Sequence, residues 1–213
     1  MEDFNAAEYD KTAGKVFAPI FPVIARQIVT RTGKTRGKCL DVGSGPGYLG
    51  IALAKITDLE VWLLDISKEA LLIAATKIAG TGLENRIQTL WGDVHQIPLP
   101  DRSMDLVVSR GSLIFWQDQK RAFQEIYRLL APGGYAYVGG GFGTEKLRIK
   151  LGRELEKKDK KLGKDWQKRK QRIISECTSQ KLLETLWEAK IPHFEISLEG
   201  GLWAIIRKDK END

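Results

Sequence analysis

The chain has 213 residues, of which 42% are hydrophobic and 29% are charged, a composition typical of one soluble globular domain with a core of ordinary size. No stretch approaches the roughly 18 consecutive apolar residues that a membrane span needs, and the mixed, charged N-terminal segment is unlike a secretory signal. Cys39 lies in a predicted buried strand, so with Cys177 as the second cysteine we expect no disulfide framework and a cytoplasmic location.

The net charge of +6 is concentrated in one segment. Residues 144–172 contain 13 Lys and Arg against 5 Asp and Glu, and the rest of the chain has a net charge of −2. A general nucleic-acid-binding face is therefore disfavoured, and the charge indicates a local partner or a solvated helix.

The predicted elements alternate between helices and strands in chain order. Residues 6–31 predict a first helix. Strands are predicted at 38–43, 60–66, 86–92, 104–111 and 134–141, with helices at 48–56, 67–82 and 118–134. A helix at 179–190 then precedes strands at 193–199 and 202–208, joined by a Gly200-Gly201 hairpin. This order predicts an α/β fold, a seven-stranded, mostly parallel sheet with helices on both faces. The hairpin predicts an antiparallel last strand, lying between the fifth and sixth strands.

A glycine-rich turn follows the first strand in the stretch "CLDVGSGPGYLGIALA". Its glycines, Gly43, Gly45 and Gly47, are two residues apart and permit close approach of a ligand to the backbone. The dinucleotide fingerprint requires a third glycine where this chain has Tyr48, and the Gly-Lys-Ser/Thr ending of a phosphate-binding loop is absent. The turn therefore indicates a nucleoside-like ligand without a pyrophosphate.

Acidic residues end the next two predicted strands. Asp65 lies 18 residues beyond Gly47, where a carboxylate can accept hydrogen bonds from both ribose hydroxyls. Asp93 ends the third strand, where it can accept from an adenine amino group. Because the carboxyl ends of parallel strands share one edge of the sheet, the sequence predicts a site for adenosine with a charged tail.

Residues 36–141 resemble a class I S-adenosylmethionine-dependent methyltransferase of the methyltransferase domain 11 type, found in ubiquinone and menaquinone biosynthesis. The matching pieces are "LDVGSGPG", "LLDIS", "GDVHQIPLPDRSMDLVVSRG" and "EIYRLLAPGG". The resemblance implies a Rossmann-like fold, S-adenosyl-L-methionine as cofactor and methyl transfer as the activity. We expect a single domain over 1–213, comprising an N-terminal helical flap (1–35), a cofactor-binding core (36–141), a basic helical insert or lid (144–172) and a last helix with hairpin (179–213).

The resemblance also implies roles for individual residues. The methionine end of the cofactor would lie against Asp41, Gly43, Ser44, Gly45 and Gly47. Asp65 would bind the ribose, Ile66 would pack on the adenine, and its edge would be read by Gly92, Asp93 and Val94. Ser109 and Arg110 would line the methionyl end and face the acceptor. Candidates for a catalytic role are His95, Arg110 and Tyr9, and we expect no metal.

The basic segment carries an apolar stripe at helical spacing. Its members are Leu147, Leu151, Leu155, Leu162, Trp166 and Ile173. Two interpretations stay open. The helix docks through this stripe and exposes a solvated basic back, or it forms a lid beside the acceptor, where its charge would favour an acidic acceptor.

Several acceptor classes are disfavoured by motifs that the sequence lacks. The fourth strand is followed by "SRGS" rather than Asn/Asp-Pro-Pro-Tyr/Phe, which disfavours methylation of exocyclic amines on nucleic-acid bases. There is no Pro-Cys nucleophile, which disfavours methylation of cytosine C5. A small molecule with an O, N, S or C nucleophile remains. The alternatives are an RNA or protein methyltransferase that uses the basic segment as an arm, and a non-catalytic regulator that binds S-adenosylmethionine. The oligomeric state is not predicted.

Overall fold

A seven-stranded sheet forms the centre of the computed structural model, which describes residues 5–161, 171 and 177–210. The strands are β1 (Arg36–Val42), β2 (Asp58–Asp65), β3 (Ile87–Trp91), β4 (Met104–Arg110), β5 (Leu130–Gly141), β6 (Phe194–Ser197) and β7 (Gly201–Arg207). Their order is β3-β2-β1-β4-β5-β7-β6. The first five strands are parallel, and β7 runs antiparallel to both β5 and β6. The predicted position and direction of the last strand are therefore confirmed.

Helices cover both faces of this sheet. They are α1 (Ala6–Thr12), α2 (Ile20–Thr32), α3 (Tyr48–Ile56), α4 (Lys68–Ile78), α5 (Gln119–Leu129), α6 (Glu145–Lys161) and α7 (Ser179–Glu188), with a π-helical segment at Ala13–Phe17 and a 3₁₀ turn at Leu113–Phe115. Buried residues of α2, α3 and α4 share one core cluster, and those of α5 and α7 share the other. None of the helices in the described part of the chain is long and apolar enough to span a membrane.

Three predicted helices differ from the structure, two of them at prolines. The helix predicted over 67–82 ends at Ile78, before Gly80 and Gly82, whose φ angles of 80° and 73° are left-handed. The predicted helix over 6–31 is divided into α1, the π-helical segment and α2, with Pro19 immediately before α2. The helix predicted to reach residue 134 ends at Leu129, because Pro132 lacks an N–H and favours extended backbone before it. Leu130 already pairs with Met104 of β4.

The basic segment 144–172 is described only as far as residue 161. Within α6, Leu151 and Leu155 are buried, and Leu147 packs against the core cluster beneath α2 and α3. The apolar face of α6 is thus docked, as the stripe predicts. The other stripe positions, Leu162, Trp166 and Ile173, lie outside the described residues.

Arg128 of α5 braces the loop that follows β3. Its Nη2 and Nε donate to the Glu125 carboxylate at 2.9 and 3.2 Å, and its Nη1 donates to Asp101 at 2.6 Å. The same guanidinium donates to the carbonyls of Ile97 and Leu99 at 3.0 and 2.9 Å. Arg128 therefore fixes several points of the loop that leads away from Asp93.

We expect Arg128→Met to lower the free energy of unfolding by about 3 kcal/mol, because it leaves the buried Glu125 carboxylate with only the half-exposed Arg121 as an ion partner, at 3.2 Å. Burial alone would raise the pKa of Glu125, but hydrogen bonds from Arg128 and the Ile97 amide outweigh it and lower that pKa. The stabilisation is therefore present above pH 4.5 and is lost as the pH falls through the lowered pKa.

Urea unfolding at pH 7 and at pH 3.5 measures this effect, and Arg36→Met is the matched control. Arg36 forms an exposed 3.7 Å pair with Asp58, so its loss should cost less than about 1 kcal/mol. Equal losses in the two variants would contradict the role assigned to Arg128.

Candidate functional site

The turn after β1 has a backbone that only glycine adopts without strain. Gly43, Gly45 and Gly47 have φ angles of 62°, 52° and 79°, in the left-handed region. A Cβ at Gly43 would also lie 2.5 Å from the Cβ of Ser112, so the loop after β4 presses directly on the turn. Backbone N–H groups are thereby brought to the carboxyl ends of β1 and β4, where open α/β sheets bind ligands.

Asp65, at the end of β2, is tied to this turn. Its Oδ2 accepts from the Gly45 amide at 2.7 Å, and its Oδ1 accepts from the Ser67 amide at 2.8 Å. Each carboxylate oxygen can accept a second hydrogen bond, so the Asp65 carboxylate retains capacity for two further donors. Burial raises the pKa of Asp65, and the amides of Ser67 and Gly45 oppose this shift.

Asp41 lies behind the turn, near the end of β1. Its buried Oδ2 accepts from the Gly50 amide in the first turn of α3 at 2.9 Å. Burial raises the pKa of Asp41 to about 7; the Gly50 amide opposes the shift and the nearby Asp65 adds to it. A cation bound in the turn would favour the ionised carboxylate, which suits a ligand with a positively charged tail.

Apolar side chains and a glycine surround the ends of β2 and β3. Ile66 is 66% exposed, and beside it the Trp91 indole donates to the Ile66 carbonyl at 3.0 Å. A Cβ at Gly92 would lie 2.9 Å from the Leu64 side chain, and Val94 is buried. The exposed Ile66 side chain is therefore available to a planar ring.

Asp93 and His95 form a linked pair. Asp93 Oδ1 accepts from the His95 amide at 2.9 Å and lies 2.6 Å from His95 Nδ1. The Asp118 amide donates to His95 Nε2 at 3.2 Å. Nδ1 thus faces a carboxylate and Nε2 faces a donor, which is the hydrogen-bond pattern of the tautomer with its proton on Nδ1. Both nitrogens are engaged, so in this arrangement His95 joins the β3 loop to α5 and has no nitrogen open to an acceptor.

Arg110, at the end of β4, lies among aromatic rings. Its Cζ is 5.0 Å from the ring centre of Phe17 and 5.7 Å from that of Phe21, and its Nη2 donates to the Gly141 carbonyl at 3.2 Å. Burial lowers the pKa of Arg110, and a hydrogen bond with the Tyr9 side chain opposes this shift. Two candidates for a catalytic role, Arg110 and Tyr9, are therefore in contact.

The Tyr9 ring also reaches the glycine turn. A Cβ at Gly45 would be 3.6 Å from Tyr9 Cε1, so the ring covers the turn from the side of α1. The position of α1 is fixed by Asp10, whose Oδ1 accepts from the Tyr48 hydroxyl at 2.9 Å and from Lys77 Nζ at 2.9 Å. Sequence reasoning missed this Asp10–Tyr48–Lys77 cluster.

Ser109 is fully buried and is linked to the glycine turn through Ser112. Its Oγ is 2.6 Å from the Ser112 Oγ, which in turn donates to the Val42 carbonyl at 3.2 Å. The serine pair thus joins the end of β4 to the end of β1. Ser112 was not predicted, and its place in "SRGS", three residues after Ser109, was the only signal for it.

The fold and this site together define a class of protein, an α/β protein that binds an adenosine-like ligand at the carboxyl ends of parallel strands. The comparisons agree. A family model described as a methyltransferase domain matches residues 40–138. The uncharacterized methyltransferase YdaC of Bacillus subtilis is 31% identical over 128 residues, which are 59% of this chain and 68% of that protein.

Two further relatives extend the match. A Methanococcus maripaludis structure assigned as an S-adenosyl-L-methionine-dependent methyltransferase is 42% identical, with a TM-score of 0.90 over 100% of this chain and 99% of that one. The ubiquinone/menaquinone biosynthesis C-methyltransferase UbiE of Marinomonas sp. is 27% identical over 136 residues, 62% of this chain and 54% of that enzyme. The chain belongs to the class I S-adenosylmethionine-dependent methyltransferases, and S-adenosyl-L-methionine is its cofactor.

Proposed function

We propose that this methyltransferase acts on a small-molecule acceptor and favours an acidic one. The observation that carries the proposal is the enclosure of Arg110, at the end of β4, by the Phe17 and Phe21 rings and by Tyr9. α6 packs on the π-helical segment that contains Phe17, which adds a second layer over this corner. Such an enclosed corner suits a small molecule better than a polymer, and the guanidinium supplies a positive charge for an acid.

In this proposal each strand end contributes one part of the cofactor site. S-adenosylmethionine supplies, when bound, a methyl group on a cationic sulfur. Asp65 accepts from the ribose hydroxyls, Asp93 and Val94 hold the adenine edge, and Ile66 packs on its face. Asp41 and the glycine turn hold the methionine end. The remaining task is to hold the acceptor in line with the methyl group, and alignment of this kind supplies much of the rate.

The engaged nitrogens of His95 favour a structural role for that residue. Tyr9 and Arg110 then remain as the polar side chains beside the acceptor. A general base is required only where the attacking atom carries a proton at working pH.

We expect the affinity for S-adenosylmethionine to rise about tenfold between pH 6 and pH 8. The pKa of Asp41 is about 7 in the free protein, and a cationic ligand lowers it, so binding below pH 7 must release a proton. Calorimetry in two buffers of different ionisation enthalpy measures that proton directly. Asp41→Asn should lose this part of the pH dependence of binding, whereas the part that comes from titration of the ligand itself should remain. If the variant keeps the full pH dependence, Asp41 is not the group that releases the proton.

Methyl transfer from labelled S-adenosylmethionine to a panel of acceptors tests the proposed function. The panel holds small carboxylic acids, their neutral amides, total RNA and a protein extract, each assayed at low and high salt. Transfer to a small acid with weak salt dependence supports the proposal. Transfer confined to RNA with a steep salt dependence supports the arm alternative, which the +8 charge of residues 144–172 favours.

A further inference from the structure

One row across the sheet places Arg110 and Trp203 on either side of a glycine. Arg110 of β4 pairs with Gly139 of β5, and Gly139 pairs with Trp203 of β7. Paired residues of neighbouring strands project to the same face, and both side chains lie on the α2 side, Arg110 beside Phe21 and Trp203 in the core cluster beneath α2. Gly139 contributes no side chain between the two, and its backbone packs closely on β7, where a Cβ would lie 2.9 Å from the Trp203 Cα.

Each of these side chains holds a buried N–H group without an acceptor. Arg110 Nε and Trp203 Nε1 are both shielded from solvent and have no hydrogen-bond partner among the described residues. Buried donors in folded proteins are almost always paired, and an unpaired one is costly. The third buried polar atom without a partner among the described residues is an acceptor, Gln27 Oε1 of α2, whose Nε2 donates to the Gly143 carbonyl at 2.8 Å. The two donors of the row are therefore available to an acceptor that a ligand supplies.

The surroundings of the two donors are apolar and aromatic. The Phe17 and Phe21 rings lie against the guanidinium, and the Tyr137 ring centre is 4.8 Å from that of Trp203. Arg110 as a whole is only half-buried, which leaves a ligand a route to it. An anion with an apolar or aromatic body matches both the donors and the rings.

We propose that the Arg110–Gly139–Trp203 row binds the carboxylate of the methyl acceptor, with Arg110 Nε and Trp203 Nε1 as its donors. This rests on the proposed function and adds a substrate class, a small carboxylic acid with an aromatic or apolar body. The cofactor also carries a carboxylate, but its methionine end belongs to the turn after β1. The row begins with Arg110 on β4, next to β1, and runs away from the turn after β1 to Trp203 on β7. Trp203 is three strands beyond β1, roughly 14 Å away at the usual strand spacing, which places that end of the row on the acceptor side.

Nuclear magnetic resonance of the ¹⁵N-labelled full chain tests the row, because both donor N–H groups give their own signals. Trp203→Phe and Arg110→Lys assign those signals. The protein is first saturated with S-adenosylhomocysteine, the demethylated cofactor, and then titrated with benzoate or with neutral benzamide. We expect benzoate, and not benzamide, to shift both signals.

The dissociation constant for benzoate should rise about tenfold in Arg110→Lys and severalfold in Trp203→Phe. Trp187→Phe, at an exposed tryptophan of α7, should change nothing.

Three results would overturn the proposal. One is the absence of a benzoate shift, and another is an equal response to benzamide. The third is a shift of both signals when S-adenosylhomocysteine is added, with no such shift when 5′-methylthioadenosine, which lacks the amino-acid tail, is added instead. The two donors would then bind the carboxylate of the cofactor. Calorimetry with S-adenosylhomocysteine is run on the same samples. Intact cofactor affinity without a benzoate response refutes only the row, whereas transfer confined to RNA refutes the proposed function.

Discussion

Asp65→Ala is expected to weaken S-adenosylmethionine binding by about 100-fold. In the proposed site, the lost hydrogen bonds join the charged Asp65 carboxylate to the ribose hydroxyls, and such bonds contribute about 1.5–3 kcal/mol. The upper end of that range applies because the same carboxylate also holds the Gly45 amide at 2.7 Å and the Ser67 amide at 2.8 Å. Removing it frees the glycine turn as well as the ribose contact. Isothermal calorimetry measures the change.

Asp58→Ala is the matched control for this substitution. Asp58 begins the same strand that Asp65 ends, and its side chain is 78% exposed. It lies at the edge of the sheet opposite the site, so cofactor affinity should stay within about twofold of the unsubstituted protein. Urea unfolding of both variants separates loss of the site from loss of the fold. If Asp58→Ala weakens binding as much as Asp65→Ala, the ribose assignment is wrong.

The sequence was sufficient to place the strand-end residues on one edge of the sheet. Gly43, Asp65 and Asp93 each follow an apolar run, and parallel topology brings the ends of such runs together. The Gly200-Gly201 pair likewise predicted the antiparallel hairpin that the structure has. These features could be predicted because each is local in sequence and its consequence follows from a general rule of sheet geometry.

Contacts between distant segments could not be predicted in this way. The Asp10–Tyr48–Lys77 cluster joins three helices, and no periodic pattern marks a residue that will meet another 38 or 67 positions away. His95 shows the same limit. Its place after Asp93 suggested a possible base, but the Asp118 amide that occupies its Nε2 belongs to the start of α5. The unpaired donors of Arg110 and Trp203 are visible only once the strands are in register.

The position of α6 supports the lid interpretation of the basic segment. α6 follows β5 at the edge of the sheet where the site lies, and its buried Leu151 and Leu155 belong to the core on which it docks. Lys158 Nζ donates to the Thr12 hydroxyl, at the junction of α1 and the π-helical segment. We propose that α6 and the N-terminal helices close together over the acceptor, which would exclude water and complete the pocket.

Neutralising the exposed lysines of α6 tests its charge separately from its packing. Lys157→Gln with Lys160→Gln should raise the KM of an acidic acceptor two- to fivefold and leave cofactor affinity unchanged. The control is Lys55→Gln with Lys120→Gln, which changes the same charge at exposed positions on other helices. Equal effects of the two pairs would show that only the overall charge matters.

Deleting residues 146–170 and bridging the gap with a short Gly/Ser linker should reduce methyl transfer to a small acceptor by more than about 100-fold. Cofactor affinity should stay within about threefold, because the strand-end residues that we propose hold the cofactor are outside the deletion. The deletion also uncovers the surface beneath Leu151 and Leu155, so Leu151→Ala with Leu155→Ala is tested beside it. That pair keeps the helix and its charge but weakens its docking, and it should lower turnover with the cofactor still bound.

If the deletion variant keeps full turnover on a small acceptor and loses RNA binding in a salt-dependent way, α6 is not a lid. The basic segment would then be an arm that binds a polyanion, because binding a polyanion needs the positive charge of the segment but does not need the segment to cover the acceptor.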